Sequence, residues 1–271
     1  MRGAGRRPGW WSVLLVLGML LTGCASRDAG TAAETGSGLP RYYDIKQLIA
    51  AVTDRVRSDR TAGLSVRGEV AGQSAGTQIS GDGVIRLAEE GVSAQFTQSM
   101  SRPGAAPAKT EFLVVAGQVY LRHAGSDPPW VRVDARSADP ADRGRAILAD
   151  AIADNGDPTT NLVRYADATL VADAADDVVD GVATVRYALV VDLARAAVLE
   201  PDPALRAQLE QQVRGGFTRI TSTLWVDAAN RPVGAHTRQE LPGVGTLTLT
   251  SEYRDWGRPV QIAAPPSGQI R

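Results

Sequence analysis

Leu64-Ser65-Val66-Arg67-Gly68-Glu69-Val70 is the stretch from which the architecture can be read. Leu64, Val66 and Val70 alternate with Ser65, Arg67 and Glu69, which is the period-two mark of a strand with one apolar face. Just upstream, Ile45, Leu48, Ile49, Val52 and Val56 recur at helical spacing between Tyr42 and Arg57, with Asp44 placed as an N-cap or first-turn acid. The period therefore changes from helical to extended, and the chain beyond Leu64 keeps the extended one. Residues 77–87, 92–100, 111–115, 118–122 and 130–133 are expected strands separated by Gly, Pro, Asp and Ser, and Ala116-Gly117 reads as a tight hairpin turn. This is an antiparallel meander.

Helical pattern returns at 141–152 and 160–165, and again at 203–214, where Pro203 suits the first turn and Leu205 and Leu209 stand four apart. Strands are expected at 181–192, 220–227, 232–241 and 245–253, with a polar turn over Asp227–Arg231. Helix, meander, helices and a second meander, without an internal linker or a fixed repeat, predict an α+β domain built on one large antiparallel sheet.

The composition bounds what this domain does. The chain has 271 residues with 29 basic and 30 acidic groups, so no basic excess exists to drive nucleic-acid binding. One cysteine and two histidines, His123 and His236, exclude a disulfide framework and a Cys/His zinc cluster from this chain alone. No metal and no cofactor are expected.

The N-terminal residues address the compartment. Arg2, Arg6 and Arg7 precede an apolar run from Trp10 to Leu21, too short for a stable membrane span and flanked as a secretory signal is. Leu21-Thr22-Gly23-Cys24 comes next and resembles a bacterial lipobox, placing the only cysteine at the position that takes a diacylglyceryl group. Residues 1–23 are thus expected to be a lipoprotein signal peptide, and Cys24 the site of S-diacylglycerol and N-acyl attachment. Residues 24–41 are read as a flexible lipidated tether, and 42–271 as the folded domain. Two or more acyl chains satisfy the condition for lasting anchorage, at the outer face of the cell membrane. The mature chain carries 26 basic against 30 acidic groups, a net −4.

Two motifs invite a chemical reading. Gly72-Gln73-Ser74-Ala75-Gly76 matches the nucleophile elbow of serine hydrolases, with His236 in the right chain order. The elbow requires a turn from strand into helix, whereas residues 77–80 continue as strand. Asp173, Asp176, Asp177 and Asp180 form an acidic stretch before Gly181, read as solvated acids on a loop; their spacing does not fit a calcium loop. Neither argues for catalysis.

The second half resembles the LppX/LprG-type lipoproteins of actinobacteria. The resemblance is carried by Gly181–Tyr187 leading to Asp192, the Asp202-Pro203 helix, Leu224-Trp225-Val226-Asp227 with Arg231-Pro232-Val233, and Tyr253-Arg254-Asp255-Trp256-Gly257-Arg258-Pro259-Val260 closing toward Pro265-Pro266. It spans residues 42–266. It implies a LolA-like half-barrel, a single curved antiparallel sheet with helices on its concave face. It further implies an apolar cavity for the acyl chains of lipids or lipoglycans, carried within the envelope by a non-enzymatic monomer that works with a lipid exporter or acceptor. The resemblance assigns no ligand residues. Periodicity alone selects Ile45, Leu48, Val52, Leu64, Val66, Leu189, Leu224 and Leu247 as cavity candidates. Two alternatives stand beside this reading: a sensor or regulatory lipoprotein of the same fold acting through a protein partner, and a hydrolase using Ser74.

Overall fold

The structure is a computed structural model that describes residues 38–72, 76–88, 91–104, 106–123, 130–133, 157–241 and 245–270. The expected helix at 141–152, Cys24 and Ser74 lie outside the described residues.

Helix α1 (Ile45–Asp59) opens the fold, and its start is set by Asp44, whose carboxylate accepts from the Gln47 backbone N–H. Arg60 ends it in the left-handed conformation at φ 65°, its N–H bonding back to Val56. The meander then runs through β1 (Thr61–Gly72), β2 (Thr77–Ala88), β3 (Gly91–Ser101), β4 (Ala108–Val115), β5 (Gln118–His123) and β6 (Val131–Val133). The β4–β5 turn has φ 49° at Ala116 and 70° at Gly117, the two positive values of a type I′ hairpin, as its sequence predicts.

Helix α2 (Thr160–Arg164) leads into β7 (Thr169–Val179), which hairpins through Asp180-Gly181 into β8 (Val182–Asp192). Two helices come next, α3 (Leu193–Leu199) and α4 (Pro203–Arg214), before β9 (Arg219–Asp227), β10 (Pro232–Leu241) and β11 (Gly245–Arg254). Asp192 caps α3 and Asp202 caps α4, with proline in the first turn of α4. Helix α4 matches its expected bounds; α3 was not expected. Neither was β7. The acidic stretch read as a loop is strand, paired with β8 from Thr169↔Val191 to Val179↔Val182.

The eleven strands among the described residues form one open antiparallel sheet in the order β6-β5-β4-β3-β2-β1-β11-β10-β9-β8-β7. The two meanders meet where β1 pairs with β11, from Gly63↔Arg254 to Gly72↔Gly245. The sheet is curved, and α1 shows why. Its Leu48, Val52 and Val56 share one cluster with Leu87 of β2 and Ala174 of β7. Six strand spacings separate β2 from β7, roughly 29 Å on a flat sheet, while a helix is about 10–12 Å across. One helix touches both because the sheet bends around it.

The rest of that cluster comes from β8 and β9: Val185, Tyr187, Leu189, Leu224 and Val226. A second cluster on the same inner face joins Ala62 and Leu64 of β1 to Ile85, Ala94, Phe96, Val114 and Tyr253. Trp256 packs against both clusters and donates its indole N–H to the Pro232 carbonyl at 2.7 Å. The closing Tyr253–Val260 segment thus joins the two meanders. Beyond it the chain crosses the outer face: Val260, Ile262 and Ile270 pack with Leu113, Tyr120 and Trp130. That strap covers apolar side chains which the strand alternation of β4 and β5 turns away from α1.

Candidate functional site

Antiparallel register decides which side chains share the inner face, because directly paired residues point the same way. On β1 these are Ala62, Leu64, Val66, Gly68 and Val70; opposite them stand Ile85, Gly83, Gly81, Ile79 and Thr77 on β2. On the other side Tyr253, Ser251, Leu249 and Leu247 complete the row through β11. Burial along this face is uneven. Leu64 is 3% exposed and Ile85 1%, near the end of the sheet that α1 reaches. Further along, Val66, Val70, Ile79, Met100, Leu247 and Leu249 are only half-buried. The second half of the inner face is an apolar strip across β3, β2, β1 and β11 that α1 does not cover. It lies toward the β1–β2 and β10–β11 connections.

Beside this strip, β3, β4 and β5 form a pocket of about 130 Å³ lined by Gln98, Met100, Ala108, Thr110, Phe112, Leu121 and His123. Met100 belongs to both strip and pocket. The floor is apolar; Gln98 is buried, and His123 Nδ1 lies 3.0 Å from the Thr110 hydroxyl. Such a site offers shape and apolar contact, with a few polar groups to orient a ligand.

The candidates chosen by periodicity divide into two groups. Leu48, Val52, Leu189 and Leu224 are brought together in the cluster beneath α1, and Ile45 packs against its edge. Leu64 lies in the neighbouring cluster with Val66 against it, while Leu247 stands opposite Val70 on the half-buried strip. Sequence reasoning passed over Leu249, which is in phase with Leu247 on the same strand, and Ile79, Met100, Phe112 and Leu121, whose strands held no selected residue and whose face only the register fixes.

The start of the domain is fixed to the same inner face. Leu39 packs on the α1 cluster, and the Tyr187 hydroxyl donates to the Pro40 carbonyl at 3.3 Å and accepts from the Tyr42 N–H at 3.2 Å. Arg41 is bonded to Asp176 on β7. At the other end of α1, Asp59 accepts from Arg55 at 2.7 Å and from Arg231 at 2.7 Å. Burial opposes ionisation of Asp59, but the two guanidiniums outweigh it and hold its carboxyl below the ordinary aspartate value.

The acidic stretch is not a cation site, for a reason set by the strand. Asp176 faces inward to Arg41, whereas Asp173 and Asp177 face outward beside Arg186. Asp177 also accepts the Trp225 indole N–H at 2.9 Å, the chief cause of its lowered pKa. Their carboxylates do not converge, and no group of three or more His, Cys, Asp or Glu able to hold a metal occurs among the described residues. Acids along an edge strand discourage pairing with another chain. The Gly72–Gly76 motif joins β1 to β2, so the chain passes from strand to strand there and not from strand into helix. His236 Nδ1 lies 3.1 Å from the hydroxyl of Thr250 on the neighbouring strand. Among the described residues, no helix is long and apolar enough to cross a membrane.

No protein-family model matches the chain, and neither does any curated protein sequence. Among solved structures it is similar to LprF from Mycobacterium bovis, at 20% identity and a TM-score of 0.45, over 84% of this chain and 99% of that one. It is also similar to the lipoprotein LppX of Mycobacterium tuberculosis, at 13% identity and a TM-score of 0.46, over 81% and 98% respectively. At these identities the likeness concerns the path of the chain alone.

Proposed function

We propose that the protein is a membrane-anchored lipoprotein which holds the acyl chains of a lipid or lipoglycan on the inner face of its sheet and carries them within the cell envelope. The observation that supports this most directly is the half-buried strip of Val66, Val70, Ile79, Met100, Leu247 and Leu249. A half-buried apolar strip keeps part of its surface in water, and an acyl chain laid along it gains about 0.8 kcal/mol for each methylene removed from water. A chain of about fifteen methylenes offers on the order of 10 kcal/mol before ordering costs are subtracted.

In this reading the pocket of about 130 Å³ at Met100 and Phe112 takes one end of a chain. It is smaller than the roughly 300–1,000 Å³ of a complete small-ligand site, so the remainder of the ligand lies on the strip. Leu48, Val52, Leu64, Leu189 and Leu224, with Ile45 at the edge, are the packed apolar end of the inner face that borders the strip, closed to the cargo itself. No covalent step is required, and the protein acts as a carrier and not as an enzyme. The signal peptide of residues 1–23 is removed, Cys24 is lipidated, and the protein sits on the outer face of the cell membrane.

Native mass spectrometry of the mature chain carrying Cys24→Ser tests the reading. The expected result is a co-purified lipid, released on denaturation, whose retention falls at least tenfold in Met100→Asp. A clean apo mass together with no uptake of offered diacyl lipid would overturn it.

A further inference from the structure

The pocket beside the strip contains one side chain that an apolar guest leaves without a task. Register sets the rows that cross β3, β4 and β5. Phe96, Phe112 and Leu121 stand in one row, Gln98, Thr110 and His123 in the next, and Met100 and Ala108 in the one after. Directly paired side chains point the same way, with Cβ atoms about 4.5–5.5 Å apart. A polar row therefore crosses the inner face between two apolar ones.

Gln98 is the buried member of the polar row, 7% exposed, while Thr110 is half-buried and His123 exposed. The Thr110 hydroxyl and His123 Nδ1 lie 3.0 Å apart. The Gln98 carboxamide, by contrast, makes no hydrogen bond among the described residues. Opposite it on β2 is Gly81, where a Cβ would lie 2.3 Å from Cζ of Phe96. The Phe96 ring thus lies across Gly81, and on that side the amide has an aromatic ring beside it and not a polar group. The amide lines the pocket of about 130 Å³ together with Met100, Phe112 and Leu121.

A buried amide without a partner is a burden that leucine, of similar size, would not bring. A plain methylene chain entering the pocket would take water from the amide and leave it unsatisfied, a loss of roughly five- to a hundredfold in affinity. A chain that carries oxygen at that point avoids the loss. A carbonyl accepts from the amide N–H, and a hydroxyl either accepts there or donates to Oε1. No Lys or Arg lines the pocket, so an ionised carboxylate would be buried without a fixed positive charge. The group that fits is neutral.

We infer that Gln98 binds a neutral oxygen of the cargo, an ester carbonyl or a hydroxyl, and so decides which end of the acyl chain enters the pocket. The inference rests on the carrier reading and deepens it. The oxygen-bearing end lies in the row of Gln98, Thr110 and His123, and the methylenes run from Met100 onto the strip, to which Met100 also belongs. Whatever the lipid carries beyond that oxygen leaves past Ala108 and His123, which are exposed. The strip gains from any apolar chain. Gln98 discriminates, as a buried polar group does against a ligand that lacks its partner.

The test offers the mature chain carrying Cys24→Ser four probes of matched chain length from cyclodextrin: hexadecane, hexadecan-1-ol, methyl palmitate and ionised palmitate. Native mass spectrometry reads the fraction of protein that holds each. The parent is expected to retain the alcohol or the ester about fivefold or more above hexadecane and above palmitate. Which of the two it keeps tells a hydroxyl cargo from an ester one. Gln98→Leu is expected to hold hexadecane as well as it holds the alcohol and the ester. Gln95→Leu, exposed on the outer face of the same strand, keeps the parent's preference. Melting curves check that both variants fold, and the parent's own comparison decides if Gln98→Leu does not. Hexadecane held by the parent as well as the oxygen-bearing probes, palmitate held above both, or a preference that survives in Gln98→Leu would overturn the inference while the carrier reading stands. Uptake of none of the four probes by the parent would overturn the carrier reading itself.

Discussion

Tyr187→Phe removes a single oxygen from the best-buried aromatic of the domain and tests how the start of the domain is held. The Tyr187 side chain is 0% exposed within the α1 cluster, so phenylalanine fills the same space and the packing term is nearly unchanged. What disappears is the hydroxyl that accepts from the Tyr42 N–H at 3.2 Å and donates to the Pro40 carbonyl at 3.3 Å. Both bonds are long, so each is placed at the low end of the usual net contribution, about 0.5–1 kcal/mol. Loss of both predicts a destabilisation of about 1–2 kcal/mol, with the two backbone groups left to find water. For a domain of this size that corresponds to a Tm lower by roughly 2–8 °C. Urea denaturation and calorimetry give the value, and amide exchange gives the location, with Tyr42 and its neighbours opening first. Tyr187→Ala also empties the cluster and should cost about 3–5 kcal/mol. A Phe variant as stable as the parent, with unchanged protection at Tyr42, would refute the claim that this hydroxyl fixes the domain's start.

Three further outcomes are expected. Because Asp59 is held below its unfolded pKa, its bonds to Arg55 and Arg231 stabilise the fold at neutral pH and are lost as pH falls through the folded value. Asp59→Asn should therefore cost about 1–3 kcal/mol at pH 7 and progressively less in acid, read as converging urea midpoints. Burial first, and then the bond to Glu200, raise Tyr165 to about 12. Its contribution is therefore present up to the unfolded value near 10 and lost between pH 10 and 12, and Tyr165→Phe should flatten the alkaline unfolding curve in that window. A Cβ at Gly83 would lie 2.2 Å from the Gln95 carbonyl oxygen, whereas one at Gly68 would meet the flexible tip of Leu249 at 3.3 Å. Gly83→Ala should cost about 1–3 kcal/mol and Gly68→Ala less than about 1 kcal/mol; equal effects in thermal melts would count against the register.

The sequence alone carried most of the elements, because their causes are local. The change from helical to extended period near Leu64, the Ala116-Gly117 turn and the Asp202-Pro203 start of α4 each rest on residues within a few positions of one another. The miss at β7 was legible too: Asp180-Gly181 takes φ 49° and 79°, a strong short hairpin signal, but the acids before it point toward a loop when read by composition. The Cys24 anchor remains a reading of sequence alone. What tertiary structure decided is what covers each face. Period two assigns Leu189, Leu224 and Leu247 to one side of their strands, yet it cannot tell that α1 seals the first two while the third stays half-buried on the strip. Nor does alternation reveal that Leu113 and Tyr120, turned away from α1, are covered by the strap from Val260 to Ile270. Burial depends on partners far along the chain and on how strongly the sheet bends, and neither is encoded within the span of a single strand.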